Sequence, residues 1–147
     1  MKNDHAGTVT MKPIGVLRTA AAVIPRHWSV SRTPGTVVID GEYAAGLNGI
    51  KAGQKIVVLF WFHRSPEFSL SNLRQTPPHR QERVGVFSIC SPLRPNPIGL
   101  SVLTVRAIHQ DKIEVEGIDM LDGTPILDIK PYITEKENRS DDPGEGA

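Results

Sequence analysis

The sequence predicts a small all-β domain, and three observations predict it. The apolar runs are short and rich in β-branched residues. The chain between them is punctuated by 13 Gly and 12 Pro. No long segment repeats apolar residues with the helical period of 3.6. Short strands separated by frequent turn signals are the pattern of a β-barrel or a sandwich. At 147 residues the chain has room for a single core.

The strands follow in order. Residues 9–17 form an apolar run broken by Pro13 and Gly15, and residues 36–39 form a second. Residues 55–63 read Lys-Ile-Val-Val-Leu-Phe-Trp-Phe-His, a continuous apolar run of the kind a strand buried on both faces carries. Residues 84–89 and 100–108 supply a fourth and a fifth. Residues 112–117 alternate, with Ile113 and Val115 to one side and Glu114 and Glu116 to the other. Residues 125–129 make a seventh, opened by the turn signal Asp122-Gly123. Residues 41–48 predict two turns of helix ended by Asn48-Gly49. Residues 65–83, with Pro66, Pro77 and Pro78, predict a polar loop long enough to have a function of its own. The domain is expected over residues 8–134, followed by an acidic, disordered tail over 135–147. The pattern does not suit a doubly wound nucleotide fold, which needs alternating strands and helices.

Charge is unevenly spread. Residues 53–106 hold seven Lys/Arg (Lys55, Arg64, Arg74, Arg80, Arg83, Arg94, Arg106) against Glu67 and Glu82, a net +5, whereas residues 134–147 are net −3. A basic middle suits a polyanion such as RNA; it is equally the composition of an ordinary solvated loop. The five histidines lack the spacing of a metal site. Cys90 is the one cysteine, so it forms no internal disulfide, and it reads as a small buried or half-buried residue. No apolar run nears the roughly 20 residues of a membrane span, and residues 1–12 lack the apolar core of a secretory signal. A reducing, cytoplasmic setting is expected.

Four strings can carry chemistry. In Arg94-Pro95-Asn96-Pro97-Ile98-Gly99-Leu100-Ser101, two prolines one residue apart stiffen the backbone around Asn96. The string either presents Arg94 and Asn96 to a polar ligand or serves as a stiff lead into a strand. In the run from Asp119 to Tyr132, turn chemistry by itself explains Asp122, Gly123 and Pro125, while Asp128 and Lys130 share one side of a strand and can pair. Asp119 or Asp128 can alternatively place a carboxylate near an amine. His63-Arg64 ends the strongest strand, where ligand pockets commonly form. Pro25-Arg26-His27-Trp28 offers an indole that either stacks on a base or caps the core.

Taken together, Gly85-Val86-Phe87, the string from Ser91 to Ser101, Asp122-Gly123-Thr124-Pro125 and Asp128-Ile129-Lys130-Pro131-Tyr132 closely resemble the TsaA/TrmO-like family, as do Pro13-Ile14-Gly15-Val16 and Phe62-His63. The resemblance runs from about residue 12 to about residue 133. It implies a single small β-barrel with short helices, a homodimer with sites near the subunit interface, and S-adenosylmethionine as cofactor. It implies methyl transfer to N6 of threonylcarbamoyladenosine beside the anticodon, with the tRNA anticodon stem-loop as partner and no metal or membrane involved. Cofactor contacts carry over to Pro25, Arg26, His27, His63, Arg64, Leu100, Asp122, Gly123, Thr124 and Pro125. Cys90 stands where bacterial members have an Arg that contacts the cofactor, and many members have Gln where His27 stands. Arg94, Asn96, Lys130 and Tyr132 are expected on the substrate side, with Arg74, Arg80 and Arg83 on tRNA phosphates. Asp122 and Asp128 are the candidates for taking the amine proton, and Asn96 is the third candidate catalytic residue. Two other readings stay open: a barrel that binds S-adenosylmethionine without catalysis, and a methyltransferase acting on another small substrate.

Overall fold

The computed structural model describes residues 7–134, so the acidic tail expected over 135–147 lies outside the described residues. Eight strands form: β1 (Gly15–Arg18), β2 (Pro34–Ile39), β3 (Lys55–Trp61), β4 (Arg74–Gln75), β5 (Val84–Gly85), β6 (Ile98–His109), β7 (Lys112–Glu116) and β8 (Pro125–Pro131). Six of them close into a barrel in the order β1-β2-β7-β6-β3-β8, and β4 and β5 form a separate two-stranded ribbon. Alternation decides which side chains face the lumen. Gly99, Ser101, Leu103 and Val105 of β6 point inward, as do Ile56, Val58 and Phe60 of β3 and Ile113 and Val115 of β7. Leu17, Val37, Ile39, Leu47, Ile118, Met120 and Ile126 complete the hydrophobic core.

Every barrel pairing is antiparallel. Neighbouring strands therefore alternate in direction around the ring, which sorts the connections. Residues 19–33, 62–97 and 117–124 meet at one end of the barrel; residues 40–54 and the tight turn at 110–111 lie at the other. We call these the loop end and the turn end.

Two glycines are fixed by close approach. A Cβ on Gly99 would lie 2.3 Å from the ring of Phe60, its cross-strand partner, so this glycine makes room for the largest core side chain. A Cβ on Gly15 would lie 2.2 Å from the backbone oxygen of Val38, where β1 joins β2. Ile14 N–H donates to Ile126 O at 2.8 Å and Leu17 N–H to Thr124 O at 2.9 Å, which closes the seam between β1 and β8.

Several expectations are corrected. The strand expected over 55–63 is not buried on both faces: Ile56, Val58 and Phe60 are buried, Val57 and Leu59 are half-buried, and Trp61 is exposed. The run 84–89 is a strand only at Val84–Gly85, after which Val86–Ser88 turns as a 3₁₀ helix with Val86 buried and Phe87 out in solvent. The first run pairs only over Gly15–Arg18, since Pro13 breaks it. The helix expected over 41–48 forms as 3₁₀ helix over Gly41–Leu47, with Leu47 its one buried side chain. One apolar anchor and two glycines do not favour a regular α-helix. The loop 65–83 contains a 3₁₀ helix, Leu70–Leu73, capped by Ser69 and Asn72, and then β4.

Candidate cofactor and RNA site

The loop end gathers most of the residues singled out in the sequence. Pro25, Arg26 and His27 ride on the loop between β1 and β2, and His63, Arg64 and the run from Arg74 to Asn96 on the loop between β3 and β6. Asp122, Gly123 and Thr124 close the loop into β8, and Leu100 stands near the start of β6. Lys130 and Tyr132 are not brought there. Lys130 lies near the far end of β8 and Tyr132 just beyond it, toward the turn end, where Tyr132 N–H donates to Lys55 O at 3.4 Å and the Lys55 ammonium lies 6.0 Å from the Tyr132 ring.

Two carboxylates three residues apart fasten the loop that bears Arg26 and His27. Asp122 Oδ1 accepts Thr19 N–H at 3.0 Å at the start of that loop, and Asp119 Oδ2 accepts Trp28 N–H at 2.8 Å near its middle. The other Asp122 oxygen lies 3.8 Å from Arg18 Nη1. The turn itself is built as its sequence requires. Gly123 has φ +84, the left-handed region that favours glycine. The Thr124 hydroxyl donates to Leu121 O at 2.7 Å, and Pro125 opens β8, where a missing donor is tolerated. Trp28 starts a short 3₁₀ turn, Trp28–Val30, whose cap is His27: Nδ1 accepts Ser29 N–H at 3.2 Å. Trp28 is half-buried, its ring 5.1 Å from the His27 ring.

Asp119 is the titratable group that the sequence leaves undefined, because its partners are 18 and 91 positions away. Oδ1 accepts the fully buried Ser101 hydroxyl. Burial pushes this carboxyl above the usual carboxylate range, opposed by the Ser101 hydroxyl, the Trp28 N–H and nearby His27. A carboxyl raised in the folded state gives its full stabilisation below its ordinary value, near 4, and loses it as pH rises through the raised value. Asp119→Asn has no proton to lose. The stability of the wild type relative to this variant is therefore expected to fall as pH rises above the ordinary carboxylate value of about 4. Urea midpoints across that rise check this, and a constant difference would refute it.

The proline-stiffened string is fastened from several sides. Phe62 N–H donates to Pro97 O at 2.8 Å and the Ser65 hydroxyl to Pro92 O at 3.0 Å, so His63-Arg64 lies against it. Gln75 Nε2 donates to Leu93 O at 2.7 Å and ties it to the ribbon. Arg94 turns inward on its own loop: Nη1 donates to Ile89 O at 3.1 Å and Ser91 O at 3.0 Å, bracing both sides of Cys90. Cys90 itself is exposed rather than buried. Asn96 is exposed between its two prolines. Asp128, midway along β8, pairs with Lys130 at 3.0 Å and accepts Ile129 N–H at 2.9 Å.

In the ribbon, Arg74 Nη2 donates to Arg83 O at 3.4 Å and Arg83 Nε to Arg74 O at 3.3 Å, while Arg80 is exposed. Arg26 and Arg64 are also exposed, and neither enters an ion pair among the described residues. Guanidinium groups left open at loop positions suit a carboxylate or phosphate ligand. A cavity of about 590 Å³ runs along the outer rim of β1 and β2, lined by Arg18, Thr19, Pro34, Arg106 and Asp122 among others. It shares only Asp122 with the expected cofactor contacts. Among the described residues no group of three or more His, Cys, Asp or Glu is placed to hold a metal ion, and no helix is long and apolar enough to cross a membrane.

A closed antiparallel barrel whose core fills its lumen leaves ligand binding to the loops at its ends. Residues 18–138 match the family model described as the tRNA-methyltransferase O N-terminal domain, and the chain belongs to that family. It is 38% identical over 128 residues to an S-adenosyl-L-methionine-binding protein of Archaeoglobus fulgidus, covering 85% of this chain and 90% of that one. It is 40% identical over 144 residues to the human tRNA (adenine(37)-N6)-methyltransferase, covering 91% of this chain but 32% of the relative. A crystal structure of TrmO from P. aeruginosa superposes with a TM-score of 0.70 at 28% identity, over 99% of this chain and 62% of that one. The chain thus spans about a third of the human enzyme and under two thirds of the TrmO chain.

Proposed function

We propose that the protein binds S-adenosylmethionine at the loop end and transfers its methyl to N6 of threonylcarbamoyladenosine beside the tRNA anticodon. The observation that carries this reading is the family match over residues 18–138, most of the chain. The binding contacts are Pro25, Arg26, His27, His63, Arg64, Leu100 and the turn from Asp122 to Pro125. Their fit to the cofactor rests on the open guanidinium groups of Arg26 and Arg64, which match a carboxylate.

Bound S-adenosylmethionine supplies an electrophilic methyl on a positively charged sulfur. The protein's task is mainly to align the acceptor nitrogen, an orientation effect worth up to roughly 7–11 kcal/mol. A loop pinned at Thr19 and Trp28 loses little freedom on binding. Asp122, whose Oδ2 is held only by the 3.8 Å pair with Arg18, is the carboxylate assigned to take the amine proton; Asp128 is the alternative base, and Asn96 can only hydrogen-bond the acceptor. The anticodon loop presents its base unstacked, so no duplex has to be melted. Arg74, Arg80 and Arg83 on the ribbon take the stem phosphates.

The protein works as a homodimer in the cytoplasm. Trp61 and Ile98 face each other across β3 and β6 with 45% and 37% of their surface exposed, and Leu100 beside them keeps 52%. An apolar patch of this kind around a binding residue suits a second copy of the chain. The exposed thiol of Cys90 suits a reducing compartment.

Isothermal titration with S-adenosylmethionine tests the reading on the wild type and on Arg26→Ala/His63→Ala. The wild type is expected to bind saturably, and the double variant to bind at least about tenfold more weakly. A wild type that does not bind would sink the proposal. Binding without turnover on threonylcarbamoylated tRNA would favour a cofactor-binding module, a reading supported by Cys90 in place of the family's Arg.

A further inference from the structure

Asp119 takes no part in the chemistry proposed above, yet it joins two segments assigned to the cofactor. Trp28, whose N–H it accepts at 2.8 Å, directly follows His27. Ser101, whose hydroxyl it also accepts, directly follows Leu100. Its neighbour Ile118 holds the returning arm of the same loop: Ile118 O accepts the Ser31 hydroxyl at 2.5 Å, and Ile118 N–H donates to Thr33 O at 3.1 Å. Three residues on, Asp122 holds the loop's first residue. One short segment of chain therefore sets the position of the Arg26–His27 loop against β6.

We propose that Asp119 is a positioning residue of the cofactor site: it fixes the distance between the Arg26–His27 loop and Leu100 without touching the ligand. The inference rests on the assignment of those residues to S-adenosylmethionine. Misplacing a binding group by about 1 Å can cost about a hundredfold in a reaction that depends on alignment, and partners that orient metal-binding side chains account for a comparable 10–100-fold in affinity.

The test is titration of S-adenosylmethionine into the wild type, Asp119→Ala, Asp119→Asn, Arg26→Ala and the double variant Asp119→Ala/Arg26→Ala. Asp119→Ala removes the links to both Trp28 and Ser101 and is expected to weaken binding about tenfold or more. Asp119→Asn keeps an oxygen for Trp28 N–H and offers its amide N–H to Ser101 Oγ, so it should recover to within about threefold of the wild type. If Asp119 acts through the loop that carries Arg26, the double variant should be no more than about twofold weaker than the weaker single variant. A merely structural loosening would instead make the two losses multiply.

Three results overturn the proposal: Asp119→Ala binding within about twofold of the wild type, Asp119→Asn as weak as the alanine, or losses that multiply in the double variant. If Asp119→Ala does not fold, Ser101→Ala carries the test, because it cuts the β6 side of the link and leaves the carboxylate. A loss of about threefold or more supports the link, and unchanged affinity overturns it. A wild type that does not bind sinks the cofactor assignment and this inference together, whereas wild-type binding that Asp119→Ala leaves unchanged sinks this inference alone.

Discussion

Gly15→Ala is expected to destabilise the barrel by about 3 kcal/mol, at the upper end of what overpacking costs. The added methyl would meet Val38 O at 2.2 Å and Ile39 Cα at 3.0 Å, and both are backbone atoms. A side chain can rotate away from such a contact, but a ladder has to shift as a unit. Gly15 pairs with Ile39 on one side and with Ile126 on the other, so relief at β2 pulls on the β8 seam. β1 has only four residues with which to hold that seam. With a urea slope of about 1–3 kcal/mol/M, the midpoint should fall by roughly 1–3 M at an unchanged slope. Gly46→Ala is the control, since a Cβ there meets nothing within 4 Å. A Gly15→Ala midpoint no lower than that of the control would show that the barrel breathes at this seam.

Replacing Arg74, Arg80 and Arg83 by Gln is expected to weaken tRNA binding on the order of 10–100-fold at moderate salt, and to reduce the slope of log affinity against log salt by about 2–3. Each lost phosphate contact accounts for about 0.7–0.9 of that slope. Binding of S-adenosylmethionine should not change, because none of the three belongs to its contacts. Arg74 and Arg83 also hold the ribbon through each other's carbonyls, so Arg80→Gln alone separates charge from architecture. It should lower the slope by less than one and leave the ribbon in place. Filter binding across a salt series measures both quantities. An unchanged slope in the triple variant would move the RNA to another face of the barrel.

Elements with strong alternation were legible in the sequence. β7 reads directly from Ile113 and Val115 against Glu114 and Glu116, and the Asp122-Gly123 turn from its dipeptide. The Asp128–Lys130 pair follows from strand spacing alone. What escaped depended on distant partners. Residues 84–89 carry enough apolar character for a strand, but they have only the two residues of β4 to pair with. Between Lys55 and His63 the run is apolar throughout, so nothing in it reveals that one face is left partly open. At the site, the three loops were recognisable from their motifs, but their convergence follows from closure of the ring, which no local pattern encodes. The roles of Asp119 and Arg94 were hidden for related reasons. The first is defined by contacts far along the chain, and the second by a guanidinium that turns back on its own loop.

The turn end has a different consequence. The hairpin between β6 and β7 at Gln110-Asp111 lies ten residues beyond Leu100 along one strand, roughly 33 Å from it at a strand's rise. It contributes none of the residues assigned to cofactor or RNA. Exposed turns of this kind are where chains accept insertions and fused domains with least disturbance. The barrel can therefore grow at that hairpin, or carry a partner domain there, while the geometry at the loop end stays as it is.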